Sequence, residues 1–215
     1  MALTNLNDKF ITVFVKAKRL NEAIWTGDDA GALSIDRFKS IVCDMYAVEI
    51  DMFEVDFEGS HLRGMIEVYN GGRQAKIYIR TNQSLPWKRY VAVKELCHVV
   101  IDRKEDWSPH GIETLEKLIV GDVLLGEHNG ALSERLAEVT ALELVYPHEH
   151  RRPDLAKIQA GQLTYEAIAA ERSIPVEIVK RVLIQSYLNM CDILWRTATL
   201  TERLSDLKGL ADYSE

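Results

Sequence analysis

Residues 87–102, WKRYVAVKELCHVVID, are the stretch around which the rest of the chain is organised. Their apolar residues predict one buried helix. Four polar or ionisable side chains interrupt it: Lys94, Glu95, Cys97 and His98. A buried helix tolerates such groups only when they have partners, because an unpaired buried charge costs free energy. These four residues are therefore the first candidates for a functional site.

The composition bounds the class of protein. The chain has 215 residues, a net charge of −7, 47% hydrophobic residues and 27% charged residues, which is typical of a soluble globular protein. The net negative charge argues against a protein whose sole function is to bind nucleic acid. Three scattered cysteines suit a reducing compartment, and no segment reads as a signal peptide or a membrane span. We expect a cytoplasmic protein with no membrane partner.

The first half of the chain changes periodicity along its length. It predicts helices over residues 5–25 and 33–47, the second with Ser34 as N-cap, and strands over residues 48–57, 62–69 and 74–80. Asn70-Gly71-Gly72 between the last two strands is a strong hairpin signal. This order predicts the α+β class, with a small antiparallel sheet, a three-strand meander, packed on helices.

The second half of the chain is helical in pattern. It predicts helices over residues 112–125, 132–146, 154–161, 163–172 and 175–194, a turn over 126–131, and a helical or frayed tail. Pro147 ends one helix, and the polar residues 148–153 follow it as a predicted break. This break divides the chain into a domain of residues 1–150 and a C-terminal helical extension of residues 151–215.

The spacing within residues 87–102 points to metal chemistry. In the zinc-peptidase motif His-Glu-x-x-His, the two histidines share a helix face and bind Zn²⁺, and the glutamate is the general base. Here Lys94 and His98 share that face, and Glu95 holds the position of the base. Glu-x-x-His alone is a weak signal, which a histidine satisfied at a helix–sheet interface also explains. The later helix adds Glu134 and Glu138 on one face, and a carboxylate is the usual third ligand.

Longer motifs support this interpretation. Residues 89–101, RYVAVKELCHVVI, resemble the hallmark helix R-[FY]-T-L-A-H-E-[LI]-G-H-x-L-[LI] of the ImmA/IrrE-type zinc metallo-endopeptidases. Residues 134–147, ERLAEVTALELVYP, resemble their second motif, E-x-x-A-N-x-x-A-A-x-L-L-M-P, and residues 163–183 are similar to a later helical segment of that family. The resemblance covers about residues 35–185 and implies a zincin-like fold.

The resemblance also implies a site, from which this chain departs. It implies a zinc ion held by His98 and Glu134, with Glu95 as the catalytic base. Lys94 replaces the first ligand histidine, Cys97 replaces a glycine, and Glu138 replaces an asparagine. A charged lysine has no lone pair for Zn²⁺ and repels a divalent cation. Zinc is therefore in doubt at this site.

Two hypotheses follow for Lys94. In the first, its ammonium replaces the metal, lying between Glu95 and Glu134 and neutralising both carboxylates. In the second, a nonstandard metal site persists with help from Cys97 or from one of two nearby histidines, His110 and His128.

Three functions remain open from the sequence. The family's members act on repressor-type transcription factors in phages, mobile elements and stress responses, so the resemblance implies a regulator that binds such a protein. In this hypothesis the catalytic centre is degenerate. The alternative is an active zinc-dependent endopeptidase with altered ligands that cleaves such a regulator. A second alternative is a DNA-binding regulator that uses the helix-turn-helix-like residues 163–184, with Lys180 and Arg181 on the second helix.

Overall fold

The computed structural model describes residues 6–25, 31–57, 61–102 and 129–211. These residues form a mixed α/β structure, mostly helical, with eight helices and one small three-stranded sheet. The helices are α1 (Leu6–Ile24), α2 (Ile35–Tyr46), α3 (Leu85–Ile101), α4 (Asn129–Val145), α5 (His148–Gln159), α6 (Tyr165–Arg172), α7 (Val176–Val182) and α8 (Gln185–Ala211). The strands are β1 (Glu49–Val55), β2 (Gly64–Tyr69) and β3 (Gln74–Arg80).

The sheet corrects one prediction. The hairpin of β2 and β3 is confirmed, because these strands pair antiparallel on either side of Asn70–Gly72. The sheet as a whole is mixed, not an antiparallel meander, because β1 pairs with β3 in parallel and the strand order is β1-β3-β2. The physical reason is burial: β3 turns Ala75, Ile77 and Ile79 into the core, so it gains most from a neighbour on each side.

Helix α3 is the centre of the core. The sheet and α2 pack against it, and α4 covers another side. Nine of its residues are buried, among them the polar Glu95 and His98. Pro86 lies in the first turn, where a missing N–H costs no helical hydrogen bond, and Asp102 is the C-cap. A helix enclosed in this way carries apolar residues around most of its circumference, and its polar residues must find partners inside the protein.

The predicted polar break at residues 148–153 is wrong, since these residues form the start of α5. Arg151 explains the difference, because its side chain is fully buried and turns back to the end of α4. Its guanidinium donates to the carbonyl oxygens of Leu142 and Tyr146 at 2.9 and 2.8 Å. It also pairs with Glu143 at 2.7 Å. The polar segment 148–153 thus contains a buried cation, Arg151, which caps the preceding helix.

The last helices also differ from the prediction. The predicted helix 175–194 is divided, because α7 ends at Val182 and α8 begins at Gln185. Helix α8 packs against α1 at the other end of the chain, and Lys18 pairs there with Glu202 at 2.6 Å. The division into two domains stays a prediction. No helix in the described ranges combines the length and hydropathy of a membrane-spanning segment.

Three predictions for the middle of the chain lie partly or wholly outside the described residues. The predicted helix 112–125 and the candidate ligands His110 and His128 lie outside them. The predicted turn 126–131 is helical from Asn129 onward, because α4 begins there.

The predicted N-cap of α2 is confirmed: the hydroxyl of Ser34 accepts a hydrogen bond from the backbone N–H of Arg37.

Candidate functional site

Lys94 lies at the centre of a cluster of charged side chains between α3 and α4. Its ammonium nitrogen is 2.7 Å from Glu134 Oε2 and 3.0 Å from Glu95 Oε1. Glu95 is 1% exposed, so its carboxylate depends on partners within the protein. The structure thus places the ammonium between the two carboxylates, the position that the first of the two hypotheses for Lys94 gives it. We call Lys94, Glu95, His98, Asp102, Ser133 and Glu134 the Lys94 cluster.

His98 holds the other side of the cluster. Its Nε2 lies 3.1 Å from Glu134 Oε1, an ion-pair contact without the alignment of a full hydrogen bond. Its Nδ1 lies 2.8 Å from Asp102 Oδ2 and 3.1 Å from the hydroxyl of Ser133. The same hydroxyl donates to Asp102 Oδ1 at 2.6 Å. Glu134 therefore contacts both Lys94 and His98, and Asp102 holds the imidazole ring of His98 at Nδ1.

The sequence reasoning did not assign Asp102 and Ser133 to the site. A signal for Asp102 was present, since it stands four residues after His98 and so shares its helix face. Ser133 carries no such signal, because only the packing of α4 on α3 brings its hydroxyl to the imidazole.

The protonation states follow from these contacts. Burial alone lowers the pKa of Lys94, but the charges of Glu95 and Glu134 outweigh it and the pKa is raised. Burial also lowers the pKa of His98, while Asp102 and Glu134 raise it to about 10. Burial raises the pKa of Glu134, and the contact with His98 together with the charge of Lys94 brings it well below its usual range. At neutral pH Lys94 is therefore an ammonium, His98 an imidazolium and Glu134 a carboxylate.

The zinc ion that the resemblance implies does not fit this arrangement. Within the described part of the chain, no group of three or more His, Cys, Asp or Glu side chains is placed to hold a metal ion. His98 and Glu134 offer two ligands where a catalytic zinc takes three, and the ammonium of Lys94 lies 2.7 Å from Glu134, one of these two. An imidazolium has no free lone pair for a metal.

Cys97 and Glu138, the other two replaced positions, take part in none of the cluster's hydrogen bonds and ion pairs given above. Cys97 is fully buried, where desolvation first and then the charge of Glu95 raise the pKa of its thiol well above the usual value. A neutral buried thiol is a poor metal ligand. The carboxylate of Glu138 is held by Arg181, with Oε1 2.5 Å from Nη1 and Oε2 3.0 Å from Nη2.

The predicted DNA-contacting side chains have protein partners. Arg181 is engaged with Glu138 in this forked pair. Lys180 lies 3.7 Å from Glu166 and 5.9 Å from the ring of Tyr165. Both basic side chains are nevertheless about half exposed or more, at 47% for Arg181 and 54% for Lys180. DNA binding by residues 163–184 stays a prediction.

Gly64 of β2 closes the cluster from the side of the sheet. A Cβ added there would lie 2.3 Å from Val91 Cγ1 and 3.0 Å from Glu95 Oε1. We expect Gly64→Ala to lower the free energy of unfolding by about 1–3 kcal/mol, because the well-packed helix cannot retreat from the sheet. Chemical denaturation measures this change.

Gly31→Ala is the matched control, since no atom lies within 4 Å of its added Cβ. We expect a change of at most about 0.5 kcal/mol there. Equal losses at both positions would contradict the close approach of β2 to α3.

The raised pKa of His98 gives a prediction about pH. The free histidine has a pKa of 6.5 and the buried one about 10, so its stabilisation is complete below about pH 6.5 and is lost as pH rises towards 10. Between pH 7 and 9 we expect its contribution to fall by about 1 kcal/mol per pH unit. Urea unfolding at several pH values measures the slope, and His98→Gln should flatten it.

His61→Gln is the control for this measurement, because His61 is exposed and should leave the slope unchanged. A slope that stays the same in His98→Gln would show that His98 is not charged at neutral pH.

Comparison with known proteins adds no relative. The chain matches no protein-family model and no curated protein. Membership of the ImmA/IrrE family therefore stays a prediction, which rests on the motifs quoted above.

Proposed function

We propose that this chain is an ImmA/IrrE-like protein of metallopeptidase fold that has exchanged its metal for a salt bridge. It acts as a regulator by binding a protein partner, a repressor-type transcription factor. The observation that carries the proposal is the ammonium of Lys94, 2.7 Å from Glu134 and 3.0 Å from Glu95. A protein that keeps the site's carboxylates but compensates them with its own cation has no need of a metal to remain folded.

The charge balance of the cluster supports this proposal. Two cations, Lys94 and His98, face three carboxylates, those of Glu95, Glu134 and Asp102. A divalent cation entering the cluster would have to displace the ammonium and remove the proton from the imidazolium. Each step costs free energy that a metal site with three free ligands does not require. Weak metal binding at neutral pH is the consequence.

One observation favours the alternative of an active zinc-dependent endopeptidase with altered ligands. His98 Nε2 and Glu134 Oε1 still face each other at 3.1 Å, as two ligands of one ion would, and Glu95 lies beside them. In this alternative Lys94 leaves the cluster and a further ligand replaces it. The two proposals differ in metal content and in the fate of the partner.

Metal content is the first test. We expect the purified protein to hold well under one zinc ion per chain after exposure to zinc and removal of excess metal. Lys94→His supplies the missing ligand and should bring the content to about one. Lys88→His, on the same helix and paired with the more exposed Glu54, is the matched control and should stay metal-poor. One tightly held zinc ion in the unaltered protein would support the endopeptidase instead.

The fate of the partner is the second test. Repressor-type regulators from the same source are titrated with the protein in a calorimeter and then examined by intact-mass spectrometry, with added zinc or with chelator. We expect saturable binding and an intact repressor under both conditions. Cleavage that depends on zinc would establish the endopeptidase. Absence of binding to every such regulator would overturn the regulatory proposal.

A further inference from the structure

A small cavity between α3 and the end of α6 is lined by two arginines, Arg89 of α3 and Arg172 of α6. Its other walls are mostly apolar: Leu33, Ile35, Val145 and Ile174 belong to them. Its volume is about 10 Å³, room for the centre of one water-sized group. Among the residues that the structure describes, no carboxylate lines it. Two cationic side chains thus border an apolar cavity that offers them no counter-charge.

Of the two arginines, Arg172 gives the stronger evidence of a missing hydrogen-bond partner. It is 7% exposed, and a charge buried to this degree is normally paired or hydrogen-bonded. Its guanidinium lies 4.6 Å from the ring centroid of Tyr146, and within the described ranges no carboxylate or carbonyl accepts a hydrogen bond from it. The other buried arginine shows the usual pattern: Arg151 has Glu143 and two carbonyl oxygens as partners. Arg172 therefore retains unused donors.

Arg89 contributes a second set of donors. Its Nη2 donates to the carbonyl oxygen of Leu33 at 2.6 Å, which anchors the side chain to the residue before the N-cap of α2. Its Nε is buried and has no hydrogen-bond acceptor among the residues that the structure describes. Helix α2 begins at Ile35, another wall of the cavity, so the positive end of its dipole adds to the field there.

We propose that this cavity is an anion-binding site, in which Arg89 and Arg172 bind an oxygen of a small oxyanion, a phosphate or a carboxylate. The volume admits one oxygen between the arginines, and the rest of the anion lies at the mouth beside the partly exposed Ser173. Guanidinium groups suit such oxygens because their planar donors match oxyanion geometry. The anion joins α3 to the end of α6, and the site does not depend on whether the Lys94 cluster binds metal.

The test is anion-dependent stability. The thermal midpoint of the full chain is measured with increasing phosphate, acetate or chloride at equal ionic strength. We expect a saturable rise of about 3 °C or more with phosphate or with acetate, beyond the rise with chloride. The comparison of phosphate with acetate tells which oxyanion the site prefers. Arg172→Met should abolish the rise, and Arg196→Met should keep it, because Arg196 is an exposed arginine on α8.

A second variant and a direct measurement keep the test decisive if Arg172→Met folds poorly. Arg172→Lys retains the charge without the planar fork, and we expect it to weaken phosphate binding about tenfold in a calorimetric titration. An equal response of the unaltered protein and Arg172→Lys to all three anions would overturn the proposal. So would a rise with chloride as large as that with phosphate and acetate.

Discussion

Lys94→Met lowers the free energy of unfolding by about 3 kcal/mol, the usual cost of removing one partner from a buried ion pair. The reason is Glu95, whose carboxylate is 1% exposed and has the ammonium of Lys94 as its nearest cation at 3.0 Å. Methionine fills a similar volume, so the loss reports the charge and not a cavity. Urea denaturation at pH 7 measures the difference.

Lys88→Met is the matched control for this prediction. Lys88 lies on the same helix and pairs with Glu54, whose side chain is 56% exposed. Exposed pairs contribute little, so we expect a loss of less than about 1 kcal/mol. Adding Glu95→Gln to Lys94→Met should recover part of the stability, because the remaining buried charge is removed. Equal losses for Lys94→Met and Lys88→Met would show that Lys94 does not compensate Glu95.

Arg151→Met is expected to cost about 3–5 kcal/mol, because it removes one partner from a fully buried ion pair. Arg151 and Glu143 both have fully buried side chains, and their atoms approach to 2.7 Å. The substitution leaves Glu143 with the indole N–H of Trp195 as its remaining close donor, at 2.8 Å. It also removes the cap from the last carbonyls of α4. Chemical denaturation and the thermal midpoint both measure this loss.

Arg152→Met, one residue further on, is the control. Its side chain is 43% exposed and pairs with Asp192 at the surface, where solvent screens the charges, so we expect a much smaller loss than for Arg151→Met. The double variant Arg151→Met with Glu143→Gln should be more stable than Arg151→Met alone. If Arg151→Met and Arg152→Met lose equal stability, the buried pair does not hold α5 to α4.

Local signals in the sequence predicted much of the fold. Each of these signals acts on nearby residues. The periodicity of residues 87–102 predicted α3, the glycines at 71 and 72 predicted the hairpin, and the serine at 34 predicted the cap of α2. The partner of β1 was predicted wrongly, because strand order depends on which strand gains most from burial on both sides. That quantity compares the three strands with the whole core, and no local pattern contains it.

The candidate site was likewise predicted only where its contacts follow from local spacing. Helix spacing predicted that Lys94, Glu95 and His98 lie near one another, and the motif around Glu134 predicted a carboxylate facing them. The spacing did not predict Ser133 as a partner of His98. Nor did it predict that Gly64, which has no side chain, leaves room for Glu95 beside β2. These contacts join elements distant in the chain, and packing alone determines them.

Arg151 and Arg172 show the limit most clearly. In the sequence Arg151 stands in the predicted polar break HEHRRP and Arg172 ends the predicted helix 163–172, and neither pattern indicates a buried side chain. The sequence by itself determined where α2 begins, where the hairpin turns and which ionisable groups share the face of α3, because these depend on residues a few positions apart. Only the tertiary structure decided which charges are buried and what compensates them, because burial depends on every element that packs around a side chain.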